Sequence, residues 1–200
     1  MTNIALFASG SGSNAQRIIE YFQDHPEIKV SILLSNNKDA YALERAKKLG
    51  VETLVFDRKT FTASNEVVNV LKKRAISWIV LAGFLWLVPD NLTKAFKDKI
   101  INIHPALLPL YGGKGMYGMH VHKAVVEAGD QESGISIHYV NENYDEGKLI
   151  FQAKCLVEPG DTPEIVAKKV QALEHEHFPR VIEELIQNKL KINKEPSHNQ

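Results

Sequence analysis

One cysteine, Cys155, occurs in 200 residues, so no internal disulfide framework can staple this chain. Such scarcity fits a reducing compartment, and the cytoplasm is the expected location. Net charge is missing as well, because 24 basic residues balance 24 acidic ones. No broad field therefore draws the chain to nucleic acid or to an anionic membrane, and neither is an expected partner. No apolar run reaches the ~20 residues that span a bilayer, and Met1-Thr-Asn-Ile lacks the basic lead-in of a secretory signal. Internal repeats and low-complexity tracts are absent; only residues 191–200 read as a polar tail.

Several catalytic signatures are also missing. No Lys-Ser/Thr follows the glycine-rich turn at Gly10 and Gly12, which excludes a nucleoside-triphosphate P-loop. There is no G-x-S-x-G elbow for a serine hydrolase. No H-E-x-x-H and no second cysteine occur, and His120-x-His122 and His175-x-His177 fall in helical surroundings, where residues two apart diverge. No metal is expected.

What is present is ordinary globular composition, 44% hydrophobic and 24% charged, enough to bury a core in one domain over 1–190. Asn3 to Ala8 reads as a buried strand running into Ser9-Gly10-Ser11-Gly12-Ser13-Asn14 and an amphipathic helix, Ala15 to Phe22. Strand, glycine-rich turn and helix is the layout that presents free backbone N–H groups to an anion, although a plain tight turn has the same sequence. The dinucleotide pattern is met only loosely at Ala15. Strands follow at Val30 to Ser35, Val51 to Phe56 and Trp78 to Ala82, with helices at Ala40 to Leu49 and Ser64 to Arg74 between them. Apolar strands separated by helices predict a parallel sheet covered on both faces, with ligands beyond the strands' C-terminal ends. Leu85, Trp86, Leu87 and Val88 lie just past one such end, either as a helix start over the core or as a pocket wall.

Lys99 to Ile103 reads as another buried strand, and it delivers Asn102 and His104 to one face because residues two apart share a face. Pro105 stops the pairing there, and a simple strand-ending turn has this same pattern. Leu110 to Gly118 is rich enough in glycine to be a mobile loop. Val121 to Ala128 is a predicted helix stopped by Gly129, and Gly134 to Val140 and Leu149 to Ala153 are predicted strands. No helix fits between those two strands, so the sheet is expected to turn antiparallel at this hairpin. Asp161, as cap, and Pro163 open a closing helix to about Asn188, with a possible break at Pro179.

Three stretches now stand together: Ser9-Gly-Ser-Gly-Ser-Asn14, Asn102-Ile-His104-Pro105-Ala-Leu-Leu-Pro109, and Gly134-Ile-Ser-Ile-His138 with Tyr144-Asp145-Glu-Gly147. This chain resembles the folate-dependent formyltransferases from Asn3 to about Leu190, and the Gly-x-Gly-Ser-Asn loop is similar to the branch with a ribonucleotide acceptor. The resemblance implies a Rossmann-like, mostly parallel sheet with helices on both faces, an antiparallel C-terminal hairpin and a closing helix. It implies 10-formyltetrahydrofolate as co-substrate and glycinamide ribonucleotide as acceptor, in a monomer or homodimer. By residue it implies Asn102, His104 and Asp145 as the catalytic trio, and Gly12, Ser13 and Asn14 on the substrate phosphate. Gln171 and Glu174 match positions touching the ribonucleotide. The folate ring is implied to lie against Leu85, Trp86, Leu87 and Val88 and the loop Asn141, Glu142, Asn143, Tyr144 to Asp145. Two departures stand out: the loop from Tyr111 to Met119 is longer and richer in glycine, and an arginine used near the folate tail falls at Asn65. His138 is open to two readings, a support for Asp145 or a structural core histidine.

The chemistry accounts for these residue types. An amine attacking a formyl carbon creates an oxyanion, which Asn102 and a protonated His104 can stabilise. A free histidine titrates near ~6.5, so a carboxylate such as Asp145 is expected to hold the charge and to relay a proton. Formyl-folate hydrolase is the nearest rival, but it carries an N-terminal regulatory domain for which a strand at Asn3 leaves no room. A tRNA formyltransferase is expected to be longer and basic. A nucleotide-binding module using the Gly-Ser loop alone leaves Asn102, His104 and Asp145 unexplained.

Overall fold

The fold is taken from a computed structural model that describes residues 1–188; the polar tail and the last residues of the expected domain lie outside them. In chain order the elements are β1 (Thr2–Phe7), α1 (Ser13–Phe22), β2 (Ile28–Ser35), α2 (Tyr41–Lys48), β3 (Glu52–Val55), α3 (Arg58–Thr62) and α4 (Glu66–Lys73). They continue with β4 (Ile76–Leu81), α5 (Asp90–Ala95), β5 (Ile100–His104), α6 (Met119–Ala128), β6 (Glu132–Tyr139), β7 (Leu149–Leu156) and α7 (Pro163–Ile186). The seven strands form one sheet in the order β3-β2-β1-β4-β5-β6-β7.

Side-chain alternation divides the sheet into two apolar faces. Ile4 and Leu6 of β1, Val80 of β4 and Ile101 and Ile103 of β5 pack with α1, α2 and α7 on one face. Ala5 and Phe7, Ile79 and Leu81, and Ile100 pack with α3, α4 and α5 on the other. Burial on both faces explains why these strands read as continuous apolar runs. Strand order reverses at β1, whose neighbours are β2 and β4, so a crevice opens between the loops that leave β1 and β4.

The antiparallel part begins one strand earlier than the sequence suggested. β6 already pairs antiparallel with β5, with Asn102 opposite His138 and His104 opposite Ser136. A helix does lie between β5 and β6, but the long stretch 105–118 brings the chain back to the same sheet edge, so the connection is not a parallel crossover. Two helices went unforeseen, α3 and α5, because five or six residues are too few to display a helical period. The cap of α7 is Thr162, whose side chain accepts from Ile165 N–H, while Asp161 pairs with Lys169 at 2.6 Å. Pro179 sits inside α7 without ending it.

Candidate active site

On β5, Ile100, Asn102 and His104 share one face, and on β6 Ser136 and His138 lie opposite them. This is the face whose other strands are covered by α3 to α5, yet here loops cover it. Ser136 Oγ donates to the Ala106 carbonyl at 2.7 Å and accepts from Leu108 N–H at 2.9 Å, which pins the chain leaving β5. The second cover is the loop after β6, and it brings Asp145 over the imidazoles at a left-handed φ of 56°. Gly147 makes that return possible: a Cβ there would lie 1.6 Å from the Tyr139 carbonyl oxygen.

Asp145 is the hub of the polar cluster. Its Oδ1 lies 3.4 Å from Asn102 Nδ2 and 3.5 Å from His138 Nε2. Its Oδ2 lies 3.5 Å from His104 Nδ1 and accepts from Gly113 N–H at 3.0 Å. Asn102 Nδ2 is also 3.1 Å from His138 Nε2, and His138 Nδ1 donates to the Tyr139 carbonyl at 2.8 Å. His138 thus touches both Asn102 and Asp145, which a mere core histidine need not do. His104 Nε2 donates to the Tyr111 carbonyl at 2.7 Å. Most side-chain separations in the cluster are at the edge of hydrogen-bond reach, as expected of a site that tightens around a substrate.

Burial pushes the His104 ring below the usual histidine range, and nearby His138 adds to this; Asp145 and the Tyr111 carbonyl oppose it without prevailing. The expectation of a charged His104 in the free protein therefore meets a desolvation cost larger than the carboxylate's pull. Burial also pushes the Asp145 carboxyl up, but His138, His104 and the Gly113 N–H together outweigh it and leave it below the usual carboxylate range.

Both shifts make the fold sensitive to acid. A buried ring that resists protonation stabilises the fold above the unfolded pKa of ~6.5, and that contribution is lost as pH falls below it. The Asp145 contribution is held above ~4 and lost as pH falls through the lowered folded value. His122 and His175, both pushed down chiefly by burial, act in the same sense as His104. The thermal midpoint is expected to fall from about pH 6.5 downward, with a shallower fall in His104→Gln. A midpoint flat between about pH 7 and 5 would contradict this account.

The cluster opens into a cavity of about 810 Å³, the size of a small-molecule site. At one side of it, Gly12 precedes α1 at φ 74° with no side-chain cap on the helix. Ser13 Oγ accepts from Gln171 Nε2 at 3.2 Å, and Asn14 Nδ2 donates to Glu174 Oε2 at 2.8 Å. Burial raises the Glu174 carboxyl above the usual range, only partly offset by that Asn14 hydrogen bond. Gly12, Ser13, Asn14, Gln171 and Glu174 thus converge on the cavity from α1 and α7.

The apolar stretch after β4 forms another wall. Val88 is buried, whereas Leu85 and Leu87 are 46% and 40% exposed at the cavity, and Trp86 is half-buried between them. The helix expected to start there begins only at Asp90, so the stretch is a wall with one foot in the core. Phe56, Phe61 and Phe84 pack around Trp86, and Arg58 stacks over its ring at 4.7 Å. Asn143 and Tyr144 line the cavity with Asp145. Asn141 and Glu142 do not; Asn141 instead accepts from Asn143 N–H at 3.0 Å and shapes the turn. Asn65 is exposed at the N-cap of α4, bonded by Asn91 at 3.2 Å and outside the cavity. Sequence reasoning gave no part to Lys114, the one lysine or arginine lining the cavity among the described residues, or to Tyr111, whose carbonyl holds His104. Their loop was legible as glycine-rich, but nothing in its composition said what it would touch.

A formyl transferase family model matches residues 2–182. The chain belongs to the formyl transferase family. Among relatives of this formyl transferase, the chloroplastic phosphoribosylglycinamide formyltransferase of Arabidopsis thaliana is 42% identical over 94% of the chain. The chain spans 66% of that relative's length. The phosphoribosylglycinamide formyltransferase of Haemophilus influenzae is 37% identical over 96% of the chain and 91% of the relative. A solved structure of glycinamide ribonucleotide transformylase 1 from Geobacillus kaustophilus superposes with a TM-score of 0.85 at 35% identity, covering 92% of this chain and 98% of that one. The mostly parallel sheet with antiparallel C-terminal strands is thus the fold of solved formyl transferases. Among the described residues no helix is long and apolar enough to cross a membrane.

Proposed function

We propose that this formyl transferase moves the formyl group of 10-formyltetrahydrofolate to the primary amine of glycinamide ribonucleotide, giving formylglycinamide ribonucleotide and tetrahydrofolate in de novo purine biosynthesis. The observation carrying this reading is one cavity that joins the Asn102, His104 and Asp145 cluster to the uncapped Gly-Ser turn of α1. The phosphate is assigned to Gly12, Ser13 and Asn14, with Gln171 and Glu174 on the sugar. The bicyclic ring is assigned between the Leu85 to Val88 wall and the Asn143 to Asp145 loop. Folate carries carboxylates on its tail, and Arg58, stacked over Trp86 of this wall, is a cation placed to meet them.

In the reaction the amine nitrogen attacks the formyl carbon, and the carbonyl oxygen becomes an oxyanion. Asn102 Nδ2 and a proton on His104 Nδ1 are the donors for that oxygen, since Nε2 is already engaged by Tyr111. Charge developing on the oxygen favours the imidazolium that burial disfavours in the free protein. Asp145, beside both rings, takes the proton released by the amine and passes it to the departing folate nitrogen. The carbon–nitrogen bond to the folate then breaks. These steps call on no metal and no nucleophilic side chain. A single domain over 1–190, working in the cytoplasm as monomer or homodimer, completes the reading, which the lone cysteine supports.

The test is a formyl-transfer assay offering glycinamide ribonucleotide, water and amino-sugar acceptors in parallel. Transfer to the ribonucleotide at least about a hundredfold above the others is the expected result, on the usual scale of oxyanion-site catalysis. Formate release without acceptor dependence would assign a hydrolase instead.

A further inference from the structure

Tyr111 is held at three points. Its backbone is left-handed, φ 53°, a strained conformation that a non-glycine residue keeps only where its surroundings hold it. Its carbonyl accepts from His104 Nε2 at 2.7 Å. Its hydroxyl donates to Asp130 Oδ2 at 2.6 Å, and Asp130 directly follows Gly129, the left-handed cap of α6. The next residue is closely packed: a Cβ on Gly112 would lie 2.7 Å from the Leu108 side chain and 3.4 Å from that of Asp145. Asp130 does not line the cavity.

We infer that Tyr111 and Asp130 are positioning residues, which anchor Nε2 of His104 so that Nδ1 is the nitrogen that carries the catalytic proton. The inference rests on the formyl-transfer reading of this site. A neutral imidazole has one N–H and one lone pair, and the hydrogen bond made by one nitrogen decides the state of the other. With Nε2–H committed to a carbonyl, Nδ1 is left bare in the neutral ring and takes up the second proton. Nδ1 is the nitrogen that faces Asp145 at 3.5 Å, close enough for attraction and loose enough to admit a substrate oxygen. The other titratable groups near the ring are His138 and His122. His138 commits Nδ1 to the Tyr139 carbonyl and turns Nε2 toward Asp145, so it does not compete for His104 Nε2. The Tyr111 phenol is pushed up to about 12, chiefly by its hydrogen bond to Asp130, and so stays a donor over the working range.

The test combines nitrogen-15 spectra of the histidine rings with steady-state kinetics on the full chain, with His104 assigned by comparison with His104→Gln. In the wild type at about pH 8, where an ordinary histidine is neutral, His104 is expected in the Nε2–H form. Tyr111→Phe and Asp130→Ala are each expected to populate both tautomers. Each should lower kcat roughly tenfold, since a slightly misplaced catalytic group costs rate, with either KM within about twofold. The double variant should equal the worse single, and Asp130→Asn, which keeps an acceptor oxygen, should behave as wild type. An Nδ1–H tautomer in the wild type overturns the inference. So do unchanged spectra and kcat in both single variants, or multiplicative losses in the double one. The spectra report the tautomer whether or not formyl transfer occurs, so failure of the transfer assay alone leaves this result readable.

Discussion

Asp145→Asn is expected to lower kcat by roughly two to three orders of magnitude while moving the KM of either substrate by less than about threefold. The substitution keeps size and a hydrogen-bonding oxygen, so the Gly113 contact at 3.0 Å can persist. What disappears is a negative charge beside two imidazoles and an acceptor for the amine proton. Both matter only as the oxyanion and ammonium develop, and interactions confined to the transition state appear in kcat. His104→Ala and Asn102→Ala each remove an oxyanion donor, worth about 2.7–4 kcal/mol, and should fall at least a hundredfold. Because His104 and Asp145 act as one unit, the double change should cost little beyond the worse single. Independent, multiplicative losses would separate their roles, and near-normal turnover in Asp145→Asn would remove the proton relay.

Gly12→Val is expected to raise the KM of the ribonucleotide roughly a hundredfold, with a much smaller change for the folate. Gly12 has φ 74°, and a Cβ there would lie 2.5 Å from both Cα and Cβ of Ala42 at the start of α2. The turn must therefore shift away from α2, carrying the first N–H groups of α1 with it. Two misdirected charge-assisted hydrogen bonds to a phosphate, each worth ~1.5–3 kcal/mol, account for the size of the effect. The Leu85 to Val88 wall is linked to this turn through Ser9, which lies before the glycines, so the folate side is largely spared. Equal rises for both substrates would place the phosphate elsewhere.

The sheet was legible because both its faces are buried, so β1, β2, β4 and β5 stand out as apolar runs whatever lies on either side. Asn102 and His104 were legible as a pair because a strand's two-residue period leaves no alternative to a shared face. Connection geometry was not. The chain between β5 and β6 holds a helix, and only the length of 105–118 decides that it returns to the same edge. Thr162 caps α7 in place of Asp161, whose carboxylate pairs with Lys169 eight residues away, a partner that no local pattern announces. Tyr111 escaped for a similar reason: its contribution is a backbone carbonyl, which every residue has, so its side chain could only hint at the anchor through Asp130. Asn65 lies outside the cavity at the N-terminus of α4, a placement that a matched position in the sequence does not reveal.

The pairing of Asn14 with Glu174 joins positions 160 residues apart, at the two ends of the described chain. On the ribosome, Asn14 is made long before its partner, and the face of β1, β4 and β5 that packs against α7 stays uncovered until that helix follows. Gln171 and Glu174 reach the cavity only with that helix. A chain that stops short of α7 therefore carries the Gly12 turn without the side chains that pair with Ser13 and Asn14, and its cavity lacks one wall.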